Sequence, residues 1–150
     1  MKQKSEGWEF RITEMDLFFG LDLNVMGQIA DTACTEASFA NGTVIFKEGD
    51  SANALFILGK GAVDLQIGGE QTVYRLSEES DIFGWSSLVE NAPYTATAIA
   101  RTDVQAVKID TRKMNRVFNA HPMFGITVYR RLCAVFNKRL ASIYHRFLSI

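Results

Sequence analysis

The chain changes its hydrophobic period twice, and those changes divide it. In the stretch MDLFFGLDLNVMGQIADTAC there is no proline, and Leu23, Met26, Ile29, Ala30 and Ala33 fall on one face at helical spacing. This predicts a helical first segment over residues 1–40, closed by the turn signal Asn41-Gly42. From Thr43 the period drops to two. Val44 and Phe46 alternate, and Glu48-Gly49-Asp50 breaks the run. Leu55-Phe56-Ile57-Leu58 reads as a buried strand ended by Gly59-Lys60-Gly61. Val63, Leu65 and Ile67 alternate up to Gly68-Gly69, a hairpin signal, and residues 73–76 return. Two further strands follow at 95–100 and 104–109. Short strands with turn signals this frequent predict a mainly β fold over 41–110, an antiparallel jelly-roll barrel (a double-stranded β-helix).

After Asp110 the helical period returns for residues 111–150. Thr111-Arg112-Lys113-Met114 opens a short helix, and His121-Pro122 separates it from a long final one. In that helix Tyr129, Cys133, Phe136, Leu140, Ile143, Phe147 and Ile150 are spaced alternately four and three apart, a heptad seam that predicts a homodimer. A second stripe of Leu132, Val135 and Leu148 is available to pack on the barrel.

Composition adds bounds. With 150 residues and 47% hydrophobic content the chain can bury one sizeable core. No apolar run approaches the roughly 18 residues of a membrane span, and the polar start lacks a secretory pattern, so a cytoplasmic protein is expected. Cys34 and Cys133 lie far apart without ligand-spaced partners and read as reduced, buried thiols. The net charge of −1 conceals a split: all 17 acids lie at or before Asp110, while eight of 16 bases follow it. Such a basic tail can be a solvated helix face, or can meet an acidic or protein partner. His121 and His145 have no carboxylate or thiol at recognisable spacing, so neither a metal site nor an enzyme is expected.

The candidate chemistry lies in DIFGWSSLVENAPYTATA, a glycine corner running into a short helix and then a strand. This corner, together with VIFKEGDSANALFILGKGAVDL before it, resembles the cyclic nucleotide-binding domain family of catabolite activator proteins and protein kinase A regulatory subunits. The resemblance covers nearly the whole chain from about Leu17, including the DLFFGL entry segment. FGWSSLVENAPYTATA aligns without gaps to that family's phosphate-binding cassette, so it implies a sensor or regulatory domain whose C-terminal helices move when ligand fills the cassette. Glu48, Gly49 and Asp50 match the family's turn and are expected to be a turn only.

The departures fall on the binding residues. Trp85 stands where the family's glutamate meets the ribose hydroxyl, and Tyr94 stands where its arginine pairs with the cyclic phosphate. A guanidinium makes bidentate, charge-assisted bonds to phosphate, so losing it alone lowers affinity about 10- to 150-fold. What remains is Gly84, Trp85, Ser86, Ser87, Tyr94 and Thr95: backbone N–H groups at a helix start, three hydroxyls and two flat rings. Arg75 and Arg101 are the cations near enough in sequence to replace the missing one. Three readings stay open: rings that fill the pocket, a modified site for another small anionic ligand, and ordinary cyclic-nucleotide binding. The expectation is weak cyclic-nucleotide binding, with no cofactor assigned. The rivals are a Crp/Fnr-type transcription regulator without its own helix-turn-helix, and an inert structural dimer.

Overall fold

The computed structural model describes residues 15–69 and 71–148. In chain order the elements are α1 (Leu23–Ala33), β1 (Cys34–Phe39), β2 (Val44–Phe46), β3 (Ala54–Lys60), β4 (Val63–Ile67), β5 (Gln71–Leu76), β6 (Ile82–Phe83), a single 3-10 turn (Trp85–Leu88), β7 (Thr97–Ala100), β8 (Val104–Asp110), α2 (Thr111–Ala120) and α3 (Pro122–Leu148). The strands form two antiparallel sheets, ordered β1-β8-β3-β6 and β2-β7-β4-β5. This is the jelly roll with flanking helices that the strand spacing predicts.

The continuous apolar run of β3 is explained by burial on both faces. Ala54, Phe56 and Leu58 point between the sheets, where they meet Val63, Leu65, Leu76, Phe83, Ala98 and Ala106. Leu55 and Ile57 point the other way, into a second core with Val107, Ile109 and the helices. Met26, Ile29, Met114, Phe118, Val128 and Leu132 close that second core from α1, α2 and α3. The helices therefore pack on the barrel through one shared layer of apolar side chains.

The Asp22 carboxylate caps α1, accepting the N–H groups of Asn24 at 2.8 Å and Val25 at 3.1 Å. The buried face runs Val25, Met26, Ile29, Ala30, Ala33. Leu23, expected on that face, is exposed, because it occupies the first helical position, outside the contact with the barrel. The expected boundary at residue 40 also moves. Cys34–Phe39 is a strand paired with β8, from Cys34 opposite Ile109 to Phe39 opposite Val104. Helix gives way to strand at Ala33 without a glycine stop, so the helical pattern conceals the change. Cys34 is buried as expected, and burial pushes its thiol pKa up to about 12. Cys133 is exposed, contrary to expectation.

Candidate functional site

Gly84 makes the corner. Its φ of +78° is in the left-handed region. A Cβ there would stand 2.8 Å from the Ala54 carbonyl oxygen and 3.1 Å from the Phe56 ring. Only glycine fits that conformation and that contact. The helix start expected after it is one 3-10 turn of four residues. Its hydroxyls are already engaged: Ser87 Oγ donates to the Gly84 carbonyl at 2.8 Å, and Ser86 Oγ lies 3.4 Å from Thr95 Oγ1.

Tyr94 is buried and fixed at every polar atom. Its hydroxyl donates to the Ala54 carbonyl at 2.8 Å and accepts the Ala54 N–H at 3.2 Å. Its backbone N–H donates to Asp50, and its carbonyl accepts from Gly49. The Glu48-Gly49-Asp50 turn therefore serves as the clamp on the cassette loop, with Gly49 at φ +92°. The Tyr94 ring stacks on Phe46, with centroids 3.8 Å apart and planes 14° from parallel. Burial raises the pKa of its hydroxyl, so the group stays neutral. Gly84, Trp85, Ser86, Tyr94 and Thr95 do converge, with Phe46, Leu65 and Ala96, but around a cavity of about 10 Å³. That is room for about one water molecule. Ser87 is turned to its own backbone instead.

Neither Arg75 nor Arg101 enters this corner. Both bind Asp64, which alternates with the inward Val63 and Leu65 and so lies on the outer face of its sheet. Arg75 Nε is 2.6 Å from Asp64 Oδ1, and Arg101 Nε is 2.8 Å from Oδ2. A buried carboxylate between two strands needs these partners. The Arg75 hydrogen bond, aided by Arg101, lowers the Asp64 pKa from 3.8 to about 2. Its contribution to stability is therefore present above about pH 4 and is lost as pH falls through about 2. Denaturant unfolding followed by circular dichroism at a series of pH values should show the wild type losing more stability than Asp64→Asn over that window.

The C-terminal helix reaches the cassette from outside. Phe136 packs on Trp85 at a centroid distance of 5.8 Å. The Arg139 guanidinium lies 4.9 Å from the Trp85 ring and 5.1 Å from the Tyr74 ring. Arg146 Nη1 donates to the Val73 carbonyl at 2.6 Å, and Arg131 Nη1 donates to the carbonyls of Asp16, Leu17 and Phe19. Arg139, Tyr74 and Asp81 were not singled out in the sequence; an arginine four residues from Val135 on the barrel stripe was the available signal.

The seam divides along its length. Tyr129 and Phe136 are partly buried on the domain's own core, and the Tyr129 hydroxyl donates to Asn115 Oδ1 at 2.8 Å. Cys133 is exposed, and Leu140, Ile143 and Phe147 are 49%, 38% and 75% exposed. Ile150 lies outside the described residues. In the second stripe Leu132 is buried and Val135 packs against the core, but Leu148 is exposed. Among the described residues no His/Cys/Asp/Glu cluster suits a metal ion, and no helix is long and apolar enough to cross a membrane.

The family model for the cyclic nucleotide-binding domain matches residues 36–121. The cAMP-dependent protein kinase regulatory subunit of Candida albicans is 33% identical over 132 residues, which is 88% of this chain and 25% of that protein. The chain thus spans about a quarter of that relative's length. A solved structure of a cyclic nucleotide-binding protein from Geobacter metallireducens superposes with a TM-score of 0.78 at 30% identity, covering 88% of this chain and 97% of that one. The catabolite activator protein of Thermus thermophilus, 23% identical with a TM-score of 0.67 over 89% of this chain and 62% of that one, shares the fold. Because the matched residues include the whole corner from Gly84 to Thr95 as well as both sheets, the chain belongs to the cyclic nucleotide-binding domain family, which is regulatory rather than catalytic.

Proposed function

We propose that this domain is a regulatory module whose cassette is closed by its own side chains and whose state is carried by the position of α3. Such a domain binds cyclic AMP and cyclic GMP weakly or not at all. The observation that carries this reading is the cavity of about 10 Å³ beside a Tyr94 held by Phe46 and by both polar atoms of Ala54. Any ligand at the corner must first move Trp85 or Tyr94, and it gains no cassette cation in return.

In this reading α3 is the output element. Trp85 touches Phe136 and Arg139, so a shift of the cassette turn is transmitted directly to the helix. Pro122 opens α3 directly after the break at His121 and serves as the hinge. Past Phe136, the exposed face bearing Leu140, Ile143 and Phe147 pairs with a second copy, continuing a seam that begins at Tyr129, Cys133 and Phe136. Native mass spectrometry of the purified protein tests both halves of the reading. The expected species is a dimer of bare chains. A monomer at tens of micromolar overturns the pairing, and one retained nucleotide per chain overturns the closed cassette.

A further inference from the structure

Arg139 is 7% exposed, and its Nη1 has no hydrogen-bond partner among the described residues. A buried guanidinium left with an unpaired nitrogen is costly, so its surroundings must hold it in another way. They do so with two aromatic faces, Trp85 at 4.9 Å and Tyr74 at 5.1 Å, and with Asp81 Oδ1 at 4.0 Å from Nη2. Asp81 is fixed in advance, because its Oδ2 accepts the N–H groups of Ser77 at 3.2 Å and Glu78 at 3.0 Å. Trp85 comes from the cassette turn, Tyr74 from β5, and Asp81 from the β5–β6 connection. All three belong to the barrel, and α3 supplies only the occupant.

Two π faces with a pre-placed carboxylate are the chemistry that recognises a flat, delocalised cation. The adjoining cavity of about 510 Å³ carries Glu78, Glu79 and Asp16 as well as Asp81 on its walls, which favours entry of a cation over an anion. Its basic members are Arg131, already bonded to three carbonyls, together with Lys138 and Arg139 itself.

We infer that Trp85, Tyr74 and Asp81 form a receptor for a guanidinium group, occupied here by Arg139 of the same chain. A guanidinium on an alkyl stem, from a small molecule or from an arginine side chain of a partner, competes for it and frees α3. The intramolecular occupant is an imperfect fit, with its carboxylate at the outer limit of an ion pair and Nη1 unbonded, so exchange is within reach of a modest ligand. The site converts the position of the family's ribose contact into a cation contact. Its existence stands on geometry alone, while the release of α3 rests on the reading of that helix as output.

Arg139→Ala empties the receptor, and Trp8→Phe leaves Trp85 as the sole indole reporter. In this double variant N-propylguanidinium should change Trp85 emission saturably at millimolar concentration, at least about 10-fold more tightly than propylammonium. With Arg139 in place the same change should need at least about 10-fold more ligand, because the site is already filled. Adding Tyr74→Ala should abolish the response. An acetylated Gly-Arg-Gly amide distinguishes the sources: saturation by it supports a partner's arginine, and response only to the small cation supports a free ligand. If Arg139→Ala does not fold, Arg139→Gln carries the same titration. No saturable response, or equal responses to the two cations, overturns the receptor. Binding without faster hydrogen exchange of residues 132–142 in the protein with Arg139 intact overturns the release while leaving the receptor.

Discussion

Replacing Trp85 by Glu and Tyr94 by Arg together should raise affinity for cyclic AMP and cyclic GMP by about 10- to 150-fold, the range set by one charge-assisted phosphate contact. The double change removes both rings that fill the corner and restores a carboxylate and a guanidinium where the resembled cassette has them. The cost falls on folding. Tyr94 gives up its stack on Phe46 and both hydroxyl bonds to Ala54, a loss of about 2–4 kcal/mol in stability. Trp85→Glu also brings a new carboxylate towards Arg139, which will compete with the introduced arginine for it. Tyr94→Arg alone should therefore destabilise the barrel without the full gain in binding. Calorimetry on the two single variants and the double separates these effects, and an unchanged double variant would show that the corner cannot reopen.

If the proposed pairing through α3 holds, Leu140→Glu should leave only monomer in light scattering while leaving the barrel's circular dichroism unchanged. Leu140 is half exposed on α3 and belongs to neither buried core. The proposed pairing would bury Leu140, Ile143 and Phe147 from each copy, at roughly 1.5–3 kcal/mol per fully buried side chain. A carboxylate in each copy at the centre of that seam should weaken dimerisation at least about 100-fold. The objection is charge, since Arg130, Arg131, Lys138, Arg139 and Arg146 lie on the helix with no acid. The structure reduces that objection. Arg131, Arg139 and Arg146 are all turned onto their own domain, against backbone carbonyls or the aromatic faces. Arg130 and Lys138 are left to repel their counterparts, and salt screens exposed charges beyond about 8 Å at physiological strength.

The jelly roll was legible because its strands carry the period-two pattern and because β3 is apolar on both faces. The corner was legible because Gly84 is needed both for its φ and for its contact with Ala54. Strand β1 was hidden, since Cys34 follows the buried Ala33 directly and keeps the helical stripe apparently unbroken. Asp64 was also missed: a polar residue on an alternating strand reads as solvated, and burial depends on two arginines distant in sequence. Arg139 was hidden for a related reason. It looks like one more charge on a basic helix until folding brings Tyr74 and Trp85 to its two sides. Long-range pairing of this kind leaves no local pattern.

The closed cassette is tested most directly by titrating the unmodified protein with cyclic AMP and cyclic GMP in a calorimeter. The prediction is no saturable heat below the millimolar range for either nucleotide. Binding of either one at low-micromolar concentration or tighter would contradict it, because a corner filled by Trp85 and Tyr94 has neither the space nor the cation for such affinity.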